Sequence, residues 1–519
     1  MLHLRALLAA TVFAVVTPSF ALASQGDGYP SRGKAIDTLK PASDYAEAVK
    51  GRPLALGIMR TRGQGFVPSP ELQAYVHGVM MRLLKGVALP PSFNPEVHVL
   101  AAPQFAGECT PDGTLIITVG LLEQLETEDE LAFVMGHELS HAIYRHEAPD
   151  WYRKSQYYAV VNGVAIDTVA QGAALSLGGS LGGNIGRGID VAQHLAKLSA
   201  NVLMPQMERG QEDAADALGF DMMVKAGYDP EAPLAVMDKL AAQEAEAQRA
   251  AQQAKAATKG KSGSSDDENG SIFGKITDVA GGLGSILTGG RPSNDQLADL
   301  AIFAFDTAVD NMAEDATTHH PAKVREDLLS DYEFREYRSI LPVQPTPLPW
   351  APQSNSPFKP QLTAMLAHYT DAEDAAAYIA DSSQGTAAKT QASIQRAVGN
   401  PTSNHAYTEF VAAEYYERNG QTPLSETALT KAVMGPEPSW EVYSRLTDIY
   451  IAKQQYPEAQ TLMDQAVMRF ENSPVLYPKR IQLYRLEGQT DQAATLMPQC
   501  KAAKIDELYD ACKKANGQS

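Results

Sequence analysis

Two histidines four residues apart, with a glutamate beside the first, are the groups in this chain best arranged for chemistry: His137-Glu138-Leu139-Ser140-His141. On a helix, side chains at i and i+4 share a face, so both imidazoles can converge on one ion. Zinc takes nitrogen ligands at about 2 Å and, in hydrolytic sites, keeps one position for water. Glu138 adjoins the first ligand, where it can act as general base toward that water. The arrangement works only on a helix. Thr127 and Glu130 have the spacing of a capping box that opens one, and Leu131, Phe133, Val134, Met135, Leu139 and Ile143 supply its apolar positions.

A third ligand must come from elsewhere. The metzincin pattern needs glycine at 144 and histidine at 147, and this chain has Tyr144 and Glu147. A glutamate from a second helix is the other solution. Glu212-Asp213-Ala214-Ala215-Asp216 lies in a stretch that runs helically through Phe220, Met222, Met223 and Val224 and stops at Ala226-Gly227-Tyr228-Asp229-Pro230. Glu212 and Asp216 share a face. Glu212 is therefore the expected third ligand, and Asp216 the carboxylate expected to orient a ligand histidine.

The run from His137 to His146, then Glu212 and Asp216 with the Ala226–Pro230 stop, resembles the gluzincin zinc metalloproteases of the HtpX and CAAX prenyl endopeptidase type, a group that includes β-barrel assembly-enhancing proteases. The resemblance extends upstream, where residues 97–102 and 114–119 read as strands and Gly120-Leu121-Leu122 leads into the zinc helix. Downstream, His320-Pro321 is similar to the group's His-Pro element near the metal. By resemblance His320 is implied as a regulatory or fourth ligand, with His319 the weaker candidate. The resemblance also implies one Zn2+ per chain. One departure stands out: the group carries Asn-Ala ahead of the strand along the active site, and Ala106-Gly107 occupy that place here. Cys109 lies in the same loop, either as a further thiolate ligand or as a small semi-buried residue. The β-branched strand at 114–119 is expected at the sheet edge, where an extended peptide can add through main-chain hydrogen bonds.

The C-terminal third has its own period. Tyr416, Tyr450 and Tyr484 recur at the 34-residue tetratricopeptide spacing; Gly420, Gln454 and Gly488 keep the step, as do Ser425, Ala459 and Ala493, and Ala432, Ala466 and Cys500. The expected fold is mostly α: an α+β metalloprotease domain with a small sheet beside the zinc helix, then a helical repeat solenoid. The metalloprotease domain is drawn at 24–340 with a low-complexity insertion at 241–296, a Pro-rich linker at 341–355 and repeats at 356–519.

At the N-terminus, a short basic start, an apolar run at 6–16 and Ala21-Leu22-Ala23 read as a signal peptide cleaved after Ala23, so a periplasmic location is expected. No later stretch has the ~18 apolar residues of a membrane span. A net charge of -19 argues against nucleic acid as a partner. Three cysteines are too few for a disulfide scaffold, though Cys500 and Cys512 can pair in an oxidising compartment. Gly-rich apolar stretches at 158–187 and 272–290 leave open peripheral membrane contact, a lid, or packing within the insertion. The expected function is zinc-dependent cleavage of misfolded or stalled envelope proteins, with the repeats recruiting substrate or outer-membrane assembly machinery. The alternative is a latent or inactive protease acting as a chaperone-like repeat adaptor.

Overall fold

The computed structural model describes residues 28–40, 65–102, 105–146, 209–260, 320–380, 387–400 and 404–518. The expected signal peptide, both Gly-rich stretches, residues 261–296 and His319 lie outside them. Helix α1 (Pro70–Leu84) opens where the Ser69 hydroxyl accepts from the Leu72 N–H, with proline in the first turn. Three strands follow: β1 (Glu96–Leu100), β2 (Gly107–Cys109) and β3 (Thr114–Thr118). Their order is β1-β3-β2, with β1 parallel and β2 antiparallel to β3.

This order corrects the edge position expected for 114–119. All five β3 residues are buried, so the strand takes a neighbour on each side, and β2 becomes the edge strand beside the zinc helix. Thr118 ends β3 and accepts from the Leu121 N–H at 3.2 Å, capping the short α2 (Val119–Gln124).

Helix α3 (Glu128–Tyr144) carries the His-Glu-x-x-His run and opens with the expected capping box. The Thr127 hydroxyl accepts from the Glu130 N–H at 3.2 Å, and the Glu130 carboxylate accepts in return from the Thr127 N–H. Helix α4 (Arg209–Lys225) supplies the acidic pair. Helix α5 (Ala232–Gly260) runs on through the first residues of the 241–296 stretch, and α6 (Ala322–Tyr337) follows His320-Pro321. The N-terminal segment lies along α4 and α6: the Ala35 N–H donates to the Tyr332 hydroxyl and the Ile36 N–H to Asp221, each at 2.8 Å.

Helices α3 and α4 cross at two glycines. A Cβ on Gly136 would meet the Gly219 carbonyl oxygen at 3.0 Å, and one on Gly219 would stand 2.6 Å from the His137 nitrogen. The backbones approach as closely as they do only because both side chains are hydrogen.

The Pro-rich stretch expected as a linker at 341–355 is docked on the protease fold. It lies along the start of α3, where Pro347 forms an antiparallel bridge with Thr127. The Glu128 N–H donates to the Thr346 carbonyl at 2.7 Å, the Leu348 N–H to the Glu126 carbonyl at 3.1 Å, and the Thr346 N–H to Asp129 at 2.8 Å. Prolines stiffen the stretch in an extended form, and the residues between them keep the N–H groups that pair. Trp350 is buried and donates to the Leu122 carbonyl at 2.9 Å. The next helix, α7 (Lys359–Ala380), is shared. Leu362, Met365, Leu366 and Tyr369 join the core around α3, whereas Ala372, Ala375 and Ile379 join the core of the following helices.

Those helices are α8 (Ala387–Gly399), α9 (Ala406–Arg418), α10 (Thr422–Met434), α11 (Trp440–Ala452), α12 (Tyr456–Arg469), α13 (Tyr477–Leu486), α14 (Thr490–Ala502) and α15 (Asp506–Ala515). From α9 onward they pack as successive pairs, and the second helices start at Thr422, Tyr456 and Thr490, in step with the repeat read from sequence. The turn residues Gly420, Gln454 and Gly488 all have positive φ, and the small residues at Ser425, Ala459 and Ala493 and at Ala432, Ala466 and Cys500 are all buried at the crossings. A disulfide joins Cys500 to Cys512, as expected. Among the described residues, no helix is long and apolar enough to cross a membrane.

Candidate metal centre

One turn of α3 points both imidazoles at α4. The Nε2 atoms of His137 and His141 lie 3.1 Å apart, and the Glu212 carboxylate straddles them, Oε2 at 3.6 Å from His137 and Oε1 at 3.4 Å from His141. Ligands at 2.0–2.1 Å from a tetrahedral ion stand about 3.3–3.4 Å from one another. The three separations therefore fit a single zinc, and all three side chains are buried. Asp216 has the expected place: its Oδ1 lies 2.8 Å from His137 Nδ1, which fixes the proton there and leaves Nε2 free for a metal.

Arg325, on the first turn of α6, was not singled out from the sequence. Its guanidinium donates to Asp216 at 2.7 and 2.9 Å and stands 3.4 Å from Glu212. The sequence offers only a lone arginine one turn after His320-Pro321, and its partners lie more than a hundred residues away. Burial alone would raise Asp216, but Arg325 and the His137 hydrogen bond hold its carboxyl below the usual range. Burial would likewise push His137 down, and Asp216 holds it above the ordinary imidazole range.

Glu138 lines the same cavity, with a volume of about 220 Å³. Burial pushes its carboxyl up to about 8, with Glu212 and Glu108 adding to the rise and His137 opposing it. With Glu138 ionised, the carboxylates of Glu138, Glu212 and Asp216 outnumber the charge on Arg325 by two. A divalent cation balances that difference, and beside it the Glu138 carboxyl returns toward its ionised form.

The β2 edge forms one wall, and Leu121, Phe133, Val134, Val236, Met237 and Leu240 form an apolar part of the lining. A Cβ on Gly107 would stand 3.2 Å from Glu138 Cγ and 3.4 Å from Val134 Cγ1, so glycine at this position brings the edge strand close against the base. The Ala106 carbonyl and N–H are both held by Thr118. Cys109 is buried in the cavity wall but is not one of the three residues whose ligand atoms converge. Neither is His320, whose Nε2 lies 3.8 Å from Asp213 Oδ2 on α4.

Residues 70–323 match Peptidase family M48. Among curated proteins, the mitochondrial metalloendopeptidase OMA1 of Arabidopsis thaliana is 28% identical over 145 residues, covering 28% of this chain and 25% of that protein. The OMA1 of Schizosaccharomyces pombe is 27% identical over 188 residues, covering 36% of this chain and 50% of its own. The beta-barrel assembly-enhancing protease of Escherichia coli K12 is 24% identical over 250 residues, covering 45% of each chain. The chain thus spans between a quarter and a half of the length of these relatives. The cavity, the converging His-His-Glu set and its carboxylate and arginine supports all lie along the segment that matches peptidase family M48, apart from Arg325, two residues beyond its end.

Proposed function

We propose that the chain is an exported zinc-dependent endopeptidase that cleaves extended segments of misfolded or stalled envelope proteins. The observation that carries this reading is the convergence of His137, His141 and Glu212 with Glu138 in the same cavity. When bound, zinc acidifies a water and polarises a carbonyl. Glu138 takes the water proton and later passes one to the leaving amine. Asp216 and Arg325 hold His137 and Glu212 in place. Gly107–Cys109, the edge strand beside α3, offers main-chain groups to an extended peptide, a mode that favours unfolded segments over particular sequences.

The helix pairs of the C-terminal part act in this reading as tetratricopeptide repeats that recruit substrate or outer-membrane assembly machinery. Their 34-residue step and the similarity to the beta-barrel assembly-enhancing protease support it. Export rests on the Ala21-Leu22-Ala23 signal and implies a periplasmic location.

Zinc content and casein cleavage, measured for the wild type and Glu138→Gln, test the reading. Both proteins should hold zinc, and the variant should lose about 100-fold or more of the activity. Zinc in both and cleavage by neither would support the adaptor reading instead. A wild type that takes up no zinc would overturn the peptidase reading.

A further inference from the structure

The two ligand histidines are oriented by different partners. His137 turns its Nδ1 to a carboxylate, Asp216. His141 turns its Nδ1 to a third imidazole, His146, with the two Nδ1 atoms 3.1 Å apart. His146 is itself buried, 6% exposed, and lies outside the converging ligand set.

The end of α3 explains how it gets there. Arg145 leaves the helix in the left-handed conformation, φ 59° and ψ 49°. Its N–H donates to the Ala142 carbonyl at 3.1 Å, and the His146 N–H reaches back to the His141 carbonyl at 3.0 Å. This pair of bonds is the Schellman helix stop, which brings the residue after the left-handed position over the one five places before it. That contact is usually apolar. Here both members are histidines, and their ring centroids lie 5.2 Å apart. A left-handed arginine costs roughly 1 kcal/mol over glycine, so the chain retains a mildly strained stop where the stop places an imidazole. Tyr144 stacks on the other side of His146 at 5.2 Å between centroids, and Gln211 on α4 donates to the His146 carbonyl at 3.5 Å.

We infer that His146 is a positioning residue: it accepts the Nδ1–H of His141 and so keeps the Nε2 lone pair of His141 aimed at the metal. The proton count requires this direction. A ligand Nε2 carries no proton, so neutral His141 carries its proton on Nδ1. The facing Nδ1 of His146 must then offer its lone pair and carry its own proton on Nε2. The tautomers of the pair are coupled, and only one combination serves a metal. A neutral acceptor also orients His141 without adding another negative charge to the three carboxylates already around the site.

The inference rests on the metal-site reading above, and zinc affinity rather than cleavage tests it. His146→Leu and His146→Asn have nearly the same shape, but only asparagine offers an acceptor where Nδ1 stands. The full chain is titrated with zinc against a chromophoric chelator, and cobalt-loaded proteins are compared by their visible spectra. The leucine variant should bind zinc about 10–100-fold more weakly, with an altered cobalt spectrum. The asparagine variant should stay within about threefold of wild type. Wild-type affinity in a folded leucine variant would overturn the inference alone, as would an asparagine variant as weak as leucine. A wild type that binds no zinc would overturn the metal-site reading and this inference with it.

Discussion

Replacing Gly219 by alanine should weaken zinc binding even though it improves the helix. Inside a helix, alanine is favoured over glycine by about 1 kcal/mol. At this position the new Cβ would stand 2.6 Å from the His137 nitrogen, 2.9 Å from the Gly136 carbonyl carbon and 3.0 Å from the His137 Cα. All three are backbone atoms of α3 and cannot rotate away. An ordinary contact of about 3.5 Å requires the helices to part by roughly 0.5–1 Å. Metal-ligand distances tolerate about 0.2 Å, and Glu212 lies on α4 two turns from the crossing, so it retreats with the helix. Overpacking costs about 1–3 kcal/mol, offset by the gain in helix propensity, so the metal-free protein loses about 0–2 kcal/mol. Zinc affinity should fall at least about tenfold. Gly78 supplies the control, because its Cβ would meet nothing within 4 Å. Gly78→Ala should raise the melting temperature and leave zinc affinity alone. Chelator competition and thermal melting of the metal-free proteins read both effects. A Gly219→Ala protein that melts higher and binds zinc like the wild type would refute the close-crossing account.

Arg325→Met should destabilise the metal-free protein by about 3–5 kcal/mol, because it leaves Asp216 and Glu212 buried without their cation. Zinc brings positive charge to the same carboxylates, so melting with saturating zinc should show a smaller loss, and equal losses in both states would refute this. Acid should loosen the junction between the two cores, where His405 Nε2–H donates to the Phe66 carbonyl at 3.1 Å and the ring sits near His368, Tyr369 and Arg469, which is paired with Glu437. Burial holds His405 down to about 3 and His368 to about 4, against 6.5 ordinarily. The unfolded chain therefore takes up protons first as pH falls below 6.5. The stability due to the neutral rings is full above that value and is lost progressively toward pH 3–4. Each ring should cost about 2–3 kcal/mol at pH 4.5, and a urea midpoint in His405→Gln as acid-sensitive as wild type would count against this assignment.

The parts legible in the sequence are those written in short-range patterns. The capping box at Thr127 and Glu130, the i,i+4 pairs on α3 and α4, and the 34-residue step each repeat a local geometry, and local geometry survives into the fold. What the reading missed depends on distant pairings. A β-branched apolar strand such as Thr-Leu-Ile-Ile-Thr at 114–118 does not reveal its place in a sheet until both of its neighbours are known. Gly136 and Gly219 are unremarkable as letters, and only their crossing makes their missing side chains matter. The prolines between 342 and 352 read as a stiff linker, and the docking of its Thr346 and Leu348 N–H groups at the start of α3 is not visible in the letters. His320 is carried to the metal by resemblance, and its contact with Asp213 is another distant pairing.

The docked stretch also bears on how a repeat array can serve the cavity. A hinge between the two would have to break the bonds that Val343, Thr346, Leu348 and Trp350 make to Asp229, Asp129, Glu126 and Leu122, and the bond from Glu128 to Thr346. At about 0.5–1.5 kcal/mol each, these bonds contribute several kcal/mol. Exposing Trp350 and the α7 side chains Leu362, Met365, Leu366 and Tyr369 adds about 1.5–3 kcal/mol apiece. The sum exceeds about 10 kcal/mol, as much as a whole domain has in reserve. Asp129 tightens the junction further, since its carboxylate accepts from both the Asp229 and the Thr346 N–H groups at 2.8 Å. If the helix pairs recruit a polypeptide, as proposed, it reaches the β2 edge by the length and flexibility of its own unfolded chain, while the pairs stay fixed against α3. That arrangement favours long unfolded substrates over compact ones.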